Sequence, residues 1–215
     1  MEKILWLYSL PYDAKRPVIC FDERPCFLIE EIIEPISMAS GQLQKEHYAY
    51  KKNGSCALLA AIEPLTGQRI AEVYNQRTKL EFTQFCQLLD QKYKDADQIV
   101  LVLDNLNTHQ AGSFYDHLPA DEARRLADRI EFNHTPKSAS WLNMIEIEFS
   151  ALSRLCLNRR IPTIELLRSE ILALISERSE KKIKFNWFFT IDDCREKLNR
   201  KYSIVNESNQ KFSKS

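Results

Sequence analysis

Residues 99–103 (Ile-Val-Leu-Val-Leu) form an unbroken apolar run that stops at Asp104. A side chain that avoids water at every position fits a strand covered on both faces, hence an interior strand of a sheet with helices on either side. The chain must therefore supply covering layers, and its patterning does so. Residues 17–23 alternate as a strand, with Val18, Cys20 and Asp22 on one face and Ile19 and Phe21 on the other. The apolar run 26–29 is expected to pair with it. Residues 55–62 are a further strand, Pro64, Thr66 and Gly67 a turn, and Arg69 to Tyr74 the start of its partner. Polar or short connections make this early set antiparallel.

The period then changes. Phe82, Phe85, Cys86, Leu88, Leu89 and Tyr93 fall on one helical stripe. A short helix is expected around 121–128 and a short strand at 130–133. Residues 142–157 read as one helix, with Leu142, Ile145, Phe149, Leu152 and Cys156 along its apolar side. Thr163 is placed to cap a helix running to about Ser179, and a last helix starts near Thr190 or Asp192. Three early strands, helix, strand, helix, strand and closing helices predict an α/β, ribonuclease H-like mixed sheet, antiparallel then parallel, flanked by helices. The expected divisions are a lead-in or linker remnant at 1–15, one domain at 16–202, and a disordered polar tail at 203–215.

Composition excludes several classes. With four glycines, the chain has no glycine-rich phosphate loop. The six cysteines never fall at C-x-x-C spacing and are expected to be reduced core residues. No signal peptide or membrane-length apolar run occurs, so a cytoplasmic, nucleoid-associated location with no membrane partner is expected. Net charge is zero but unevenly spread: residues 1–150 hold 16 basic and 22 acidic side chains, whereas 151–202 hold 12 and 7. The basic third could seat a phosphate backbone.

Two carboxylates stand where carboxylates are costly. Asp22 shares a strand face with Val18 and Cys20, and Asp104 ends the most apolar strand, where sites gather in parallel sheets. The 142–157 helix offers a third, and periodicity does not choose between Glu146 and Glu148. Three carboxylates would suit two Mg²⁺ or Mn²⁺ ions, whose preferred ligands are oxygens.

The strings Val-Leu-Asp-Asn-Leu-Asn-Thr-His (102–109) and Ser-Trp-Leu-Asn-Met-Ile-Glu-Ile-Glu (140–148) resemble the hallmark blocks of DDE transposases, in particular the bacterial insertion-sequence branch of the mariner superfamily. Cys-Phe-Asp-Glu-Arg-Pro (20–25), Glu-Pro-Leu-Thr-Gly (63–67), Arg-Arg-Ile-Pro (159–162) and Asn-Trp-Phe-Phe-Thr (186–190) extend the likeness over Arg16 to Tyr202. The resemblance implies a two-metal phosphoryl-transfer enzyme that cuts transposon ends and joins them to target DNA at TA. It places the catalytic, metal-holding acids at Asp22, Asp104 and Glu146, and leaves Glu148 as a helix-face residue. It implies supporting or phosphate-contacting roles for Asn105, His109 and Asn143 and a DNA contact for Lys137, while Arg154, Arg159, Arg160, Lys181, Lys182 and Lys184 are expected from their charge to track the phosphate backbone. Trp141 is expected to pack in the core. Ser138 and Ala139 stand where the family usually has His-Gly. Asp22 comes too early for the family's N-terminal helix-turn-helix to precede it, so a fragment or a downstream reading frame is expected, partnered by an upstream product carrying that region and by a second copy. The competing expectations are a general nuclease of the same fold and a catalytically silent regulatory fragment.

Overall fold

The computed structural model describes residues 1–33 and 49–205. Five strands, β1 (Val18–Glu31), β2 (Tyr50–Glu63), β3 (Gln68–Tyr74), β4 (Ile99–Leu103) and β5 (Ile130–His134), form one sheet in the order β3-β2-β1-β4-β5. β1 and β2 pair antiparallel, as do β2 and β3, whereas β4 lies parallel to both β1 and β5. This mixed sheet between helical layers is the ribonuclease H-like fold expected from the order of elements.

Strand alternation divides the interior into two cores. Ile19, Phe21, Leu59, Ile99, Leu101 and Leu103 face α2 (Lys79–Lys92), α3 (Gly112–Tyr115) and α4 (Ala120–Arg129), meeting Phe82, Phe85, Leu89, Phe114 and Leu126. Cys20, Leu58, Ala60, Ile62, Val100 and Val102 face α1 (Glu2–Ser9), α5 (Ile145–Leu152), α6 (Ile164–Glu180) and α7 (Ile191–Lys197). Every residue of β4 is buried, because helices cover both its faces. The helix starts follow the capping chemistry: Thr78 and Glu81 form a capping box for α2, Thr163 caps α6, and Thr190 with Asp193 boxes α7. All six cysteines are free and buried.

Four sequence expectations change in the folded chain. The run 26–29 does not pair with 17–23 but continues it, as one strand to Glu31. Past Cys20 the β4 side of β1 has no strand partner among the described residues, so Pro25, which lacks an N–H, is tolerated there while its other side faces Ala57 of β2. The stretch 1–15 contains α1, whose Ile4, Leu5 and Leu7 are buried in the second core. Each contributes about 1.5–3 kcal/mol by leaving water. Arg195 grips Glu2 with two hydrogen bonds of 2.8 and 2.9 Å, and the Tyr202 hydroxyl donates to the same carboxylate at 2.8 Å. Packing therefore does not begin at residue 16. At the far end α8 (Asn199–Val205) continues past 203, and residues 206–215 of the expected tail lie outside the described residues. Among the described residues no helix is long and apolar enough to cross a membrane.

Fourth, the helix expected over 142–157 is broken. A 3-10 turn (Ser140–Leu142) leads to Asn143 in an extended conformation, α5 starts at Ile145, and a π-helical turn (Ser153–Leu157) follows. Asn143 is buried and its side-chain amide donates to the Phe21 carbonyl at 2.8 Å. That bond draws the residue out of helical geometry and ties the start of α5 to β1, one residue before Asp22.

Candidate active site

The parallel pairing of β1 and β4 ends at Cys20 opposite Val102. Asp22 and Asp104 both stand two residues further on, so the register that aligns the strands also sets these two acids side by side, on the face that packs against α5. Neighbouring strands are about 4.8 Å apart, so two carboxylates here repel unless something between them is positive. Burial pushes the Asp22 carboxyl up to about 7; the Glu23 N–H, donated at 2.7 Å, lowers it, and the nearby charges of Asp104 and Glu146 raise it further.

Asp104 is treated differently. Burial would raise its carboxyl, but the hydrogen bond and charge of His109 and the Leu106 N–H outweigh this and hold it below the ordinary value. His109 Nδ1 lies 2.5 Å from Asp104 Oδ1, and the imidazole is fully buried, against the rings of Phe21 and Phe82. Burial lowers the imidazole, yet Asp104 and Glu23 raise it more, to about 9. Its other nitrogen is 3.7 Å from Glu23, too long for a hydrogen bond but close enough for charge attraction. At neutral pH the pair is thus a carboxylate and an imidazolium. His134 at the end of β5 donates to the His109 carbonyl at 2.8 Å and fixes that turn.

The two acids of α5 diverge. Glu146 is exposed at the start of the helix and contributes its charge to Asp22. Glu148 is fully buried; it accepts from Arg178 at 2.6 and 3.0 Å and forms an ion pair with the Arg69 Nε at 2.9 Å. Arg69 also donates to the Gly67 and Ile183 carbonyls at 2.5 and 2.9 Å. Gly67 adopts φ +78°, and a Cβ there would meet the Ile183 carbonyl oxygen at 2.8 Å, so the turn that carries this bond requires glycine. This buried triad, together with Asn143, sets the rotation of α5 and hence where Glu146 points. Arg69 and Arg178 were not singled out from the sequence, since no local pattern signals them.

An open cleft of about 380 Å³ adjoins Asp104, lined also by Asn105, Thr135, Lys137, Ser138 and Ser140 among others. Asn105 and Lys137 are exposed there. Ser138 adopts φ +61°, while Ala139, in the position of the family's glycine, adopts φ −127°, so nothing in this backbone demands glycine at 139. The remaining basic residues do not gather around the cleft. Arg154 is exposed on the π-helical turn. Arg159 pairs with Glu170, and Arg160 with Glu31 at the distal end of β1. Lys181 pairs with Glu177, and the segment holding Lys182 and Lys184 runs beside the β2–β3 turn, where the Phe185 N–H donates to the Pro64 carbonyl. Since β2 ends opposite the start of β1, these lysines sit at the other end of the sheet from Asp104. Trp141 is not in the core: the residue is 48% exposed.

Among the described residues no three His, Cys, Asp or Glu side chains close around a single point as a ready metal cage. The acids instead form an open edge of oxygen donors, one of them buried among like charges. That is compatible with Mg²⁺ or Mn²⁺, since Mg²⁺ commonly keeps several waters and takes only one or two carboxylates.

A sequence model of the DDE superfamily endonucleases matches residues 17–168. The chain belongs to this family. The matched span runs from the first residues of β1 into α6 and so contains every acid of the site. No curated protein matches the sequence. Among solved structures, the family member described here is similar to the Mos1 transposase paired-end complex with left transposon end, at 12% identity and a TM-score of 0.57 over 97% of this chain and 59% of that one. It is similar to the Mos1 mariner paired-end complexes with Mn (13% identity, TM-score 0.55) and with Mg (15%, 0.54), each over 99% of this chain and 61% of the other. At these identities the likeness is one of fold. The chain spans about 60% of the length of the transposases it matches.

Proposed function

We propose that the chain is the catalytic domain of a DDE transposase, cutting transposon ends and joining them to target DNA by divalent-metal phosphoryl transfer. The observation that carries this reading is the alignment of Asp22 with Asp104 just past the parallel pairing of β1 and β4, with Glu146 adding its charge and, among the described residues, His109 as the cation built in against them. Asp22, Asp104 and Glu146 would hold two ions, Mg²⁺ or Mn²⁺. Such ions withdraw charge from a phosphodiester and favour ionisation of an attacking hydroxyl. His109 holds one oxygen of Asp104 and thereby directs the other towards the cleft. Asn143 and the Glu148 triad hold α5 in place. Lys137, with Ser138, Ser140 and Asn105, would contact phosphate oxygens of the strand lying in the cleft. Arg154, Arg159, Arg160, Lys181, Lys182 and Lys184 would act further along the duplex. Complexes of Mos1 with Mn and with Mg, and with a transposon end, support metal and DNA as ligands. Membership of the bacterial mariner branch, joining at TA, action as a homodimer and an upstream partner carrying a helix-turn-helix belong to the same proposal.

The test is calorimetric titration of Mn²⁺ into the chain and into Asp104→Ala, with a transposon-end oligonucleotide present, followed by a strand-cleavage assay. Saturable binding that the variant loses, with Mn²⁺-dependent cleavage, is expected. Identical binding by both proteins would place the ion elsewhere and sink the assignment. A second reading, a silent regulatory fragment, is favoured by two observations: His109 already neutralises Asp104, and among the described residues the acids form no closed cage. It predicts no Mn²⁺ binding and inhibition of an active transposase by this chain.

A further inference from the structure

Trp141 follows Ser140, which lines the cleft beside Asp104. Its indole stacks on Trp187 with the ring planes 16° apart and centroids at 6.3 Å, and the ring of Phe189 meets it edge-on at 5.4 Å. The Trp187 Nε1–H donates to the Phe189 carbonyl at 2.7 Å, which satisfies the polar atom of that indole and fixes its plane. Tyr8 packs on Trp187 from the core side at 5.2 Å. The Lys197 ammonium stands 4.9 Å over the Phe189 ring, and Leu198 closes a recess of about 420 Å³. The stack is anchored in the second core through Trp187 and Phe189, while Trp141 keeps 48% of its surface in water.

We infer that this aromatic recess is a stacking platform for an unpaired nucleobase of the DNA whose phosphates occupy the adjoining cleft. The inference deepens the proposed function and rests on it for the identity of the strand. Three features select a base over another occupant. The exposed group is a flat, rigid π surface, which accepts any base face without sequence readout. A cation stands at its rim, and Lys137 with the hydroxyls of Ser138 and Ser140 lines the cleft that reaches Ser140, the residue before Trp141, so charge and donors suit a nucleotide and not a plain apolar ligand. The recess is made by five residues, whereas a stable protein interface engages about 20–30 residues a side. A base leaving the duplex next to the scissile phosphate would thus find a preformed seat.

The experiment uses the full chain in EDTA, so that no cleavage occurs, with fluorescently labelled hairpin duplexes carrying a three-nucleotide 3′ overhang, either intact or abasic. Anisotropy should report about tenfold tighter binding of the intact overhang, within the contribution of one stacked base. Trp141→Ala should bring the two DNAs to parity, and Trp141→Phe should retain most of the preference. Equal affinity of the native chain for both DNAs, binding of neither, or a Trp141→Ala loss identical on both overturns the platform. So does a shift of Trp141→Ala from dimer to monomer in sedimentation with no base dependence, which assigns the patch to a second copy. Base preference without Mn²⁺-dependent cleavage in a parallel assay leaves the platform standing and fails the proposed catalysis alone. Cleavage without base preference does the reverse.

Discussion

Glu146 and Glu148 flank one residue of α5, yet they meet opposite environments. Glu148 is sealed in the interior and matched by Arg69 and Arg178, so its charge is compensated by the fold. Glu146 faces the edge where Asp22 and Asp104 converge, and there burial and like charge raise Asp22 to about 7. A compensated carboxylate is a structural device; carboxylates gathered with little built-in compensation wait for a cation from outside. The contrast separates a buried, paired acid from an exposed one that looks like it in the sequence.

The largest expected effect tests the uncompensated region. Asp22→Asn or Asp104→Asn should lower metal-dependent cleavage at least about a thousandfold, the scale of removing a main electrostatic element from a phosphoryl-transfer site. Residual activity within tenfold of native would break the contrast. The compensated region comes next. Glu148→Ala should cost about 3–5 kcal/mol in urea unfolding, because Arg69 stays buried without a counter-charge. A Glu148→Leu, Arg69→Met pair should recover much of this loss, and failure to do so would show that geometry and not charge is at stake.

Smaller effects sharpen the comparison. Asn143→Ala leaves the Phe21 carbonyl without its donor and should cost about 1–3 kcal/mol, with cleavage falling more than binding if α5 swings away from β1. Asp22→Asn should also stabilise the metal-free protein at neutral pH. The folded carboxyl titrates near 7, above its ordinary 3.8, so its contribution to stability is fully present below about pH 4 and is lost as the pH rises towards 7. The difference in melting temperature between variant and native chain in EDTA should therefore be absent near pH 4, grow up to about pH 7, and disappear when Mn²⁺ is added. A difference that stays constant from pH 4 to 7 would show that the folded carboxyl titrates at its ordinary value, and one that keeps growing above pH 7 that it stays protonated in the folded state. Smallest is the joint replacement of Lys181, Lys182 and Lys184 by Gln. These residues lie far from Asp104, so cleavage at saturation should be unchanged, while the slope of DNA affinity against salt flattens by about one for each phosphate no longer neutralised.

Much of this arrangement is written in local pattern. The alternation of 17–23 put Asp22 on the face of Cys20, and the run 99–103 announced a doubly covered strand ending at an acid, because strand periodicity and burial are read two residues at a time. Helix starts at Thr78, Thr163 and Thr190 follow from side chains that bond their own backbone. Periodicity could not separate Glu146 from Glu148, whose surroundings come from other parts of the chain.

What the sequence by itself determined is which residues are apolar, at what period, and where acids interrupt them; that suffices for the strands, most helices and the α/β layering. Only the tertiary structure decided that β1 runs unbroken to Glu31, that α1 docks on the second core through Ile4, Leu5 and Leu7, that Trp141 stays in water, and that the basic residues scatter instead of forming one patch. It also decided that Glu148 is neutralised from 79 positions back by Arg69 and 30 ahead by Arg178. The physical reason is the same in each case: secondary structure answers to neighbours along the chain, whereas the cost of a buried charge or an exposed ring depends on which distant groups the fold brings within a few ångströms.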